Sequence, residues 1–143
     1  MDERGRIVAA GYDAVANEYA ALEQPGKAWP RLRLLRNVLT RIPPGVTVLD
    51  LGCGNGVPAL VEIARSHEAV GVDLSGTQAD LARANVPTAE VFRAEPMFFS
   101  HYDAETTLRL VEEAGFEVLD AHRATQLEGE IEVEFLWVTA KRN

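Results

Sequence analysis

The chain has 143 residues, 47% hydrophobic and 25% charged, which is the composition of one globular domain rather than of a disordered segment. Its net charge of −8 argues against binding nucleic acid or an anionic membrane, because phosphate affinity depends on Lys and Arg. No apolar run approaches the roughly 20 residues of a membrane span, no signal-peptide pattern opens the chain, and the single cysteine excludes a disulfide framework or a multi-Cys zinc site. We therefore expect a cytoplasmic protein without a metal centre.

Hydrophobic periodicity and turn residues divide the chain into alternating helices and strands. The predicted helices are 2–22, 28–41, 58–64, 76–85 and 104–114, and the predicted strands are 46–51, 69–74, 90–94, 116–124 and 130–140. Residues 95–102 are expected to be irregular and 126–129 to form a turn. This order predicts an α/β fold with a largely parallel sheet of about five strands, the last of them antiparallel.

Short polar residues and glycine mark several of the predicted helix ends. Ser75 and Asp103 are placed to cap the helices that follow them, because their side chains can accept a hydrogen bond from the first turn. Gly115 suits the left-handed residue that ends a helix, and Pro58 suits a first helical turn.

A glycine-rich turn, Gly52-Cys53-Gly54-Asn55-Gly56, follows the first predicted strand. Such a turn brings the backbone close to a ligand and directs free N–H groups towards it. Asp73 closes the next strand, and a carboxylate there can accept hydrogen bonds from both hydroxyls of a ribose. The sequence therefore predicts a nucleoside site at the carboxyl ends of these strands.

The glycine spacing indicates which nucleoside is bound. The dinucleotide fingerprint would place its third glycine at position 57, but that residue is Val57 and the glycine is Gly56. Asp50 precedes the turn, where a carboxylate suits a cationic amino group better than a pyrophosphate. The pattern favours a zwitterionic, sulfonium-bearing nucleoside over NAD.

Together these segments resemble the class I S-adenosylmethionine-dependent methyltransferases that act on small molecules. The resemblance is carried by segments found in the family's order, namely 12–19, 48–56, 71–75, 97–106, 113–118 and 135–138. It implies a Rossmann-like fold, S-adenosylmethionine as cofactor and a small-molecule acceptor. It divides the single domain 1–143 into N-terminal cap helices (1–42), a cofactor-binding half (46–95) and a C-terminal helix and strand pair (96–143).

The resemblance also implies roles for particular residues. The residues that it assigns to the cofactor are Gly52, Cys53 and Gly54 at the amino-acid portion, Asp50 at its amino group, Asp73 at the ribose, Leu74, Ala94 and Glu95 at the adenine, and Tyr12 and Tyr19 closing the pocket. The two tyrosines are equally well interpreted as core aromatics. Cys53 is expected to be a small turn residue rather than a nucleophile, because no Lys or His–Asp pair lies beside it.

His101 and Tyr102 are the candidate catalytic residues, since the corresponding loop of the family faces the acceptor. A general base is needed only for an acceptor that carries a proton, and His101 is otherwise a capping or surface residue beside Asp103. His67 is expected at the surface.

The chain departs from the family after Glu95, where equivalents of the family's strands 4 and 5 are missing. The strand 46–51 would then have an open edge. A closed order 3-2-1-7-6 is possible but taut, since residues 96–102 reach about 25 Å and the gap is about 19 Å. The alternative is a homodimer, through edge pairing or strand exchange.

Three functions remain open at this point. The leading one is a methyltransferase. The second is a remnant that binds S-adenosylmethionine or its demethylated product without transfer, which the missing acceptor strand favours. The third is a dimerisation module without a cofactor, which the intact cofactor motifs oppose.

Overall fold

The computed structural model describes residues 3–22, 30–94, 102–128 and 131–142, with the side chains of 3–5, 19–22, 30 and 126–128 left out of that description. The chain divides into two compact units, Met1–Phe98 and Phe99–Asn143. The predicted single domain 1–143 stays a prediction.

The first unit alternates helices and strands. Its elements are α1 (Glu3–Leu22), α2 (Pro30–Leu39), β1 (Thr47–Leu51), α3 (Ala59–Ile63), β2 (Glu68–Asp73), α4 (Gly76–Asn85) and β3 (Glu90–Arg93). The three strands are parallel in the order β1-β2-β3. Leu51 pairs with Val72 and Asp73 with Arg93, so the strands end together along what we call the carboxyl edge.

One face of this sheet is covered by helices. The buried apolar cluster that joins α3 and α4 to the strands consists of Leu39, Cys53, Leu60, Ile63, Ala69, Ala79, Ala82, Val86 and Val91. Gly71 of β2 allows the closest approach, since a Cβ atom there would lie 3.0 Å from Cδ2 of Leu60 and 2.9 Å from Sγ of Cys53. The glycine is therefore required by packing.

The opposite face of the sheet is apolar and exposed. Side chains alternate along a strand, so Leu49 and Leu51 of β1 share a face with Phe92 of β3. Leu49 is 53% exposed, Leu51 70% and Phe92 52%. Two-sided coverage is usual for parallel sheets, and within the described residues of the first unit these three side chains stay exposed.

The second unit is a helix followed by a long hairpin: α5 (Ala104–Glu113), β4 (Phe116–Glu128) and β5 (Ile131–Arg142). The strands pair antiparallel from Phe116 with Arg142 to Glu128 with Ile131, with a register shift between Val118 and Asp120. Helix α5 has no buried residue.

The capping predictions are confirmed. Ser75 accepts a hydrogen bond from the N–H of Gln78, and Asp103 accepts one from Thr106. Gly115 has a left-handed φ of +86° after α5. Pro58 occupies the N-cap position of α3, one residue before the helix begins at Ala59, so the predicted helix start at 58 is one residue too early.

The α/β fold class and its five strands are confirmed for the part of the chain that is described, with the strands divided between two sheets rather than joined in the order 3-2-1-7-6. The predicted turn at 126–129 is wrong for residues 126–128, which extend β4. They pair with 131–133 because a connection of only two residues lets the ladder continue almost to its end. None of the helices described here has both the length and the apolarity of a membrane span.

Candidate functional site

The glycine-rich turn folds over the end of β2. The N–H groups of Gly52 and Cys53 both donate to the carbonyl oxygen of Val72, at 2.7 and 3.1 Å. Gly52 and Gly54 have φ values of +80° and +54°, a left-handed conformation that glycine adopts without a steric cost. Among the described residues beyond each glycine's chain neighbours, no heavy atom lies within 4 Å of the position that a Cβ atom would take on either glycine, so the turn borders open space there.

The carboxylate of Asp73 lies beside this turn. Its Oδ2 accepts from the Gly54 N–H at 2.8 Å, and its Oδ1 accepts from the Ser75 N–H at 2.9 Å. The structure thus brings Gly52, Gly54 and Asp73 together at the carboxyl edge, the geometry that the sequence predicts. A carboxylate has about four acceptor positions, so about two remain for a ligand.

Cys53 is buried in the turn, only 8% exposed. Burial, and then the negative charges of Asp50 and Asp73, raise the pKa of its thiol to about 12. A thiol with this pKa is protonated at neutral pH and is a poor nucleophile. The structure therefore supports a packing role for Cys53.

The other described residues predicted to bind the cofactor at the carboxyl edge lie near it, and the structure gives their positions but not their roles. Asp50 pairs in register with Gly71 and is half-buried on the helix-covered face. Leu74 is buried, and the N–H of Ala94 donates to the carbonyl of Asp73 at 2.7 Å. Glu95 lies outside the described residues. The structure places these residues near the edge and leaves their roles as predictions.

Asp13 of α1 contacts the start of α4, and the sequence analysis missed this contact. Its Oδ1 accepts a hydrogen bond from the hydroxyl of Ser75 and one of 3.0 Å from the N–H of Thr77. These two bonds hold the pKa of Asp13 below its usual value of 3.8, the Ser75 bond having the larger effect. The available signal was Ser75 itself, because a buried hydroxyl requires a partner of its own.

The two tyrosines predicted to close the pocket lie on α1. Tyr12 is 45% exposed, so its interpretation as a core aromatic is wrong. The side chain of Tyr19 lies outside the described side chains. Their contribution to a pocket stays a prediction.

The candidate catalytic residues precede α5. Tyr102 belongs to the second unit and is exposed beside Asp103, and His101 lies outside the described residues. Their part in acceptor chemistry stays a prediction.

A cavity of about 510 Å³ lies at the opposite end of β2 from Asp73. It is bordered by Arg36, Glu62 and Arg65, of which the two arginines donate to the same carboxylate at 2.8 to 3.0 Å. Arg36 is the main cause that lowers the pKa of Glu62. His67 also borders this cavity and is buried, so its expected surface position is wrong.

In the described part of the chain, no group of three His, Cys, Asp or Glu side chains could hold a metal ion. The candidate site is the carboxyl edge, where the Asp73 carboxylate and the glycine turn border open space. The N–H groups of Gly52, Cys53 and Gly54 already donate within the protein, so the free N–H groups expected from the sequence are not found at these three residues.

A family profile described as "Methyltransferase domain" matches residues 48–131, more than half of the chain and including the whole carboxyl edge. The chain belongs to this family. The membership confirms the resemblance to the class I S-adenosylmethionine-dependent methyltransferases, and S-adenosylmethionine is the family's cofactor.

A curated relative is the ribosomal protein L11 methyltransferase of Cupriavidus necator, which is 36% identical over 68% of this chain. The chain spans about a third, 34%, of that relative's length. The match supports the family and is too partial to transfer the relative's substrate.

Two solved structures share the fold. A TehB-like S-adenosylmethionine-dependent methyltransferase from Corynebacterium glutamicum has a TM-score of 0.60 at 15% identity, covering 95% of this chain and 100% of that one. The [4+2]-cyclase SpnF has a TM-score of 0.62 at 20% identity, covering 81% of this chain and 73% of that one.

The residues of the carboxyl edge fit S-adenosylmethionine. Asp73 keeps acceptor positions for the two ribose hydroxyls, and the turn leaves room beside Gly52 and Gly54 for the amino-acid portion. The partly buried Asp50 stays the predicted partner of the cationic amino group.

Proposed function

We propose that this chain is a cytoplasmic methyltransferase that transfers the methyl group of S-adenosylmethionine to a small-molecule acceptor. The observation that supports this proposal is the Asp73 carboxylate, held by the N–H groups of Gly54 and Ser75 at the end of β2. It is oriented before any ligand arrives, which lowers the entropy that binding would cost.

In this mechanism the protein mainly binds and orients. The cofactor supplies an electrophilic methyl group on a sulfonium centre. Asp73 would accept the ribose hydroxyls, the glycine turn would border the amino-acid portion, and Asp50 would balance the charge of the amino group. Holding the acceptor in line with the methyl group in a water-excluded site provides most of the rate enhancement. A base such as His101 or Tyr102 serves only an acceptor that must lose a proton.

Calorimetric titration with S-adenosylmethionine tests the cofactor site. We expect the wild-type chain to bind and Asp73→Ala to lose affinity by about 10-fold or more, because hydrogen bonds to a charged group are lost. Asp80→Ala is the matched control, since Asp80 is an exposed carboxylate on α4 that pairs with Arg83. Asp73→Asn, checked for folding by circular dichroism, separates loss of the acceptor charge from loss of the fold.

A wild-type chain that shows no binding at millimolar S-adenosylmethionine would contradict the proposal. Where binding is found, formation of S-adenosylhomocysteine in the presence of varied acceptors tests the transfer step. Tyr102→Phe then tests the proposed acceptor side, with a lower turnover and an unchanged cofactor affinity as the expected result.

A second candidate is a function that uses the cofactor fold without methyl transfer. The observation in its favour is the likeness to SpnF, whose name denotes a [4+2]-cyclase, because the same fold then hosts different reactions. Tight cofactor binding with no S-adenosylhomocysteine formed from any acceptor would favour this candidate.

We also propose that a second copy of the chain pairs along β1. Within the described sheets β1 has a neighbour on one side only, and its Leu49 and Leu51 are exposed. Unpaired edges favour pairing with a second chain, and an antiparallel contact of identical strands is symmetric.

Sedimentation velocity should give twice the 15.7 kDa of one chain. Leu49→Lys should give the monomer, Ile131→Lys should remain dimeric as the control, and a monomeric wild type contradicts the proposal.

A further inference from the structure

Helix α1 buries little apolar side-chain area against its neighbours. Its buried apolar side chains within the described range are Ala9 and Ala16, both small. Asp13 lies between them at helical spacing, four residues after the first and three before the second, and these intervals place all three on one face. Because two alanines bury little area, the carboxylate contributes much of the specificity with which α1 meets α4.

Asp13 completes the start of α4. Ser75 is the N-cap residue and is fully buried, its hydroxyl accepting from Gln78 while donating to Asp13. The N–H of Thr77 belongs to the first turn, where backbone donors have no partner within the helix, and Asp13 accepts from it. Both bonds end on the same oxygen, Oδ1.

Ser75 also holds the candidate cofactor residue. Its N–H donates to Oδ1 of Asp73 at 2.9 Å, while its hydroxyl donates to Asp13. One residue therefore links a carboxylate on α1 with the carboxylate at the end of β2. A shift of Ser75 would move the donor that orients Asp73.

We propose that Asp13 is a positioning residue for the nucleoside part of the cofactor: through Ser75 it holds Asp73 in the orientation that accepts a vicinal diol. This inference rests on the proposed function, because it assigns the ribose to Asp73. Its ligand class is an adenosine-containing molecule with both ribose hydroxyls present. Asp13 itself touches no ligand in this proposal and is not a catalytic residue.

Two variants of Asp13 separate hydrogen bonding from charge. The side-chain oxygen of Asn can accept both bonds, because both end on one oxygen, whereas Ala accepts neither. We expect Asp13→Ala to weaken S-adenosylmethionine binding by about 5- to 10-fold, the size of one or two lost hydrogen bonds, and Asp13→Asn to stay near wild type. Glu18→Ala, on the exposed part of the same helix, is the matched control and should bind as wild type.

Adenosine and 2′-deoxyadenosine supply a readout that a merely structural role would not move. In the wild type we expect adenosine to bind more tightly than its 2′-deoxy analogue, because Asp73 accepts both hydroxyls. Asp13→Ala should reduce this preference, since a misoriented carboxylate no longer distinguishes the two. Amide hydrogen exchange at Thr77 should rise in Asp13→Ala and not in Asp13→Asn.

The outcomes are distinguishable. If Asp13→Ala binds S-adenosylmethionine as tightly as the wild type and keeps the same preference for adenosine over 2′-deoxyadenosine, the inference is overturned and the proposed function still stands. A loss in Asp13→Asn as large as in Asp13→Ala also overturns it, because charge rather than bond geometry would then act. A wild type that binds neither S-adenosylmethionine nor adenosine overturns the proposed function together with the inference.

Discussion

The two units of this chain are stabilised in different ways. In the described residues, all buried apolar side chains lie in the first unit, between Ala9 and Val91. The second unit is held by the antiparallel ladder of β4 and β5 and by the capped helix α5, which buries no residue. Fully buried apolar side chains are therefore a feature of the first unit, whereas the second unit combines the strand ladder with partly buried side chains.

This difference matters for function, because the carboxyl edge is built on the packed unit. Precise placement of a ligand requires side chains and backbone groups whose own positions are held by their surroundings. A Cβ atom on Gly71 would lie 3.0 Å or less from Cys53 and Leu60, so both side chains pack close to the backbone of β2. If the two units differ as strongly as their burial indicates, substitutions in the first unit should have the larger effects.

The largest expected effect is on the reactivity of Cys53. Because the pKa of its thiol is raised to about 12, we expect alkylation at pH 8 to be slower than for a free thiol with pKa 8.5 by a factor on the order of 1,000. Iodoacetamide labelling followed by mass spectrometry measures this rate. Labelling as rapid in the native chain as in urea would contradict the tight packing of the first unit.

The next effect is on the stability of the first unit. A Cβ at Gly71 would meet Cys53 and Leu60 at 3.0 Å or less, so we expect Gly71→Ala to lower the free energy of unfolding by about 1–3 kcal/mol. Urea denaturation followed by circular dichroism measures the change. The control is Gly11→Ala, where nothing lies within 4 Å and a helical alanine should stabilise by about 0.5–1 kcal/mol.

A double variant identifies the cause of that loss. Removing the sulfur with Cys53→Ala relieves the shortest contact, so Gly71→Ala should cost less in that background than in the wild type. Equal costs in the two backgrounds would show that the close contact at Cys53 is not responsible.

The smallest expected effect concerns the second unit. Asp103 accepts hydrogen bonds from Thr106, which hold its pKa below the usual 3.8. A lowered pKa means that this stabilisation is present above about pH 3.8 and is lost as pH falls through the value in the folded state. Asp103→Ala should therefore speed amide exchange at the start of α5 at pH 7, and the two chains should converge at lower pH. A difference that persists after Asp103 is protonated would contradict the capping role.

Local rules predicted much of this structure from sequence. The caps at Ser75 and Asp103 depend on residues three positions apart, and the meeting of Gly54 with Asp73 follows from the shared edge of parallel strands. Asp13 was missed because its partner is 62 residues away, and helical periodicity does not reveal which residue lies opposite. The end of β4 was missed because Gln126 and its neighbours have the composition of a turn, although pairing with β5 overrides it.

The exposed apolar face of the first unit has a consequence for the colloidal behaviour of the protein. At pH 7 a net charge of −8 on every chain opposes the approach of two such faces. The isoelectric point is near 4.9, and at that pH the repulsion vanishes while the apolar area of Leu49, Leu51 and Phe92 is unchanged. The acidic residues thus set the pH range in which the protein stays dispersed. The lower limit of that range lies close to the pH at which ordinary carboxylates begin to take up protons.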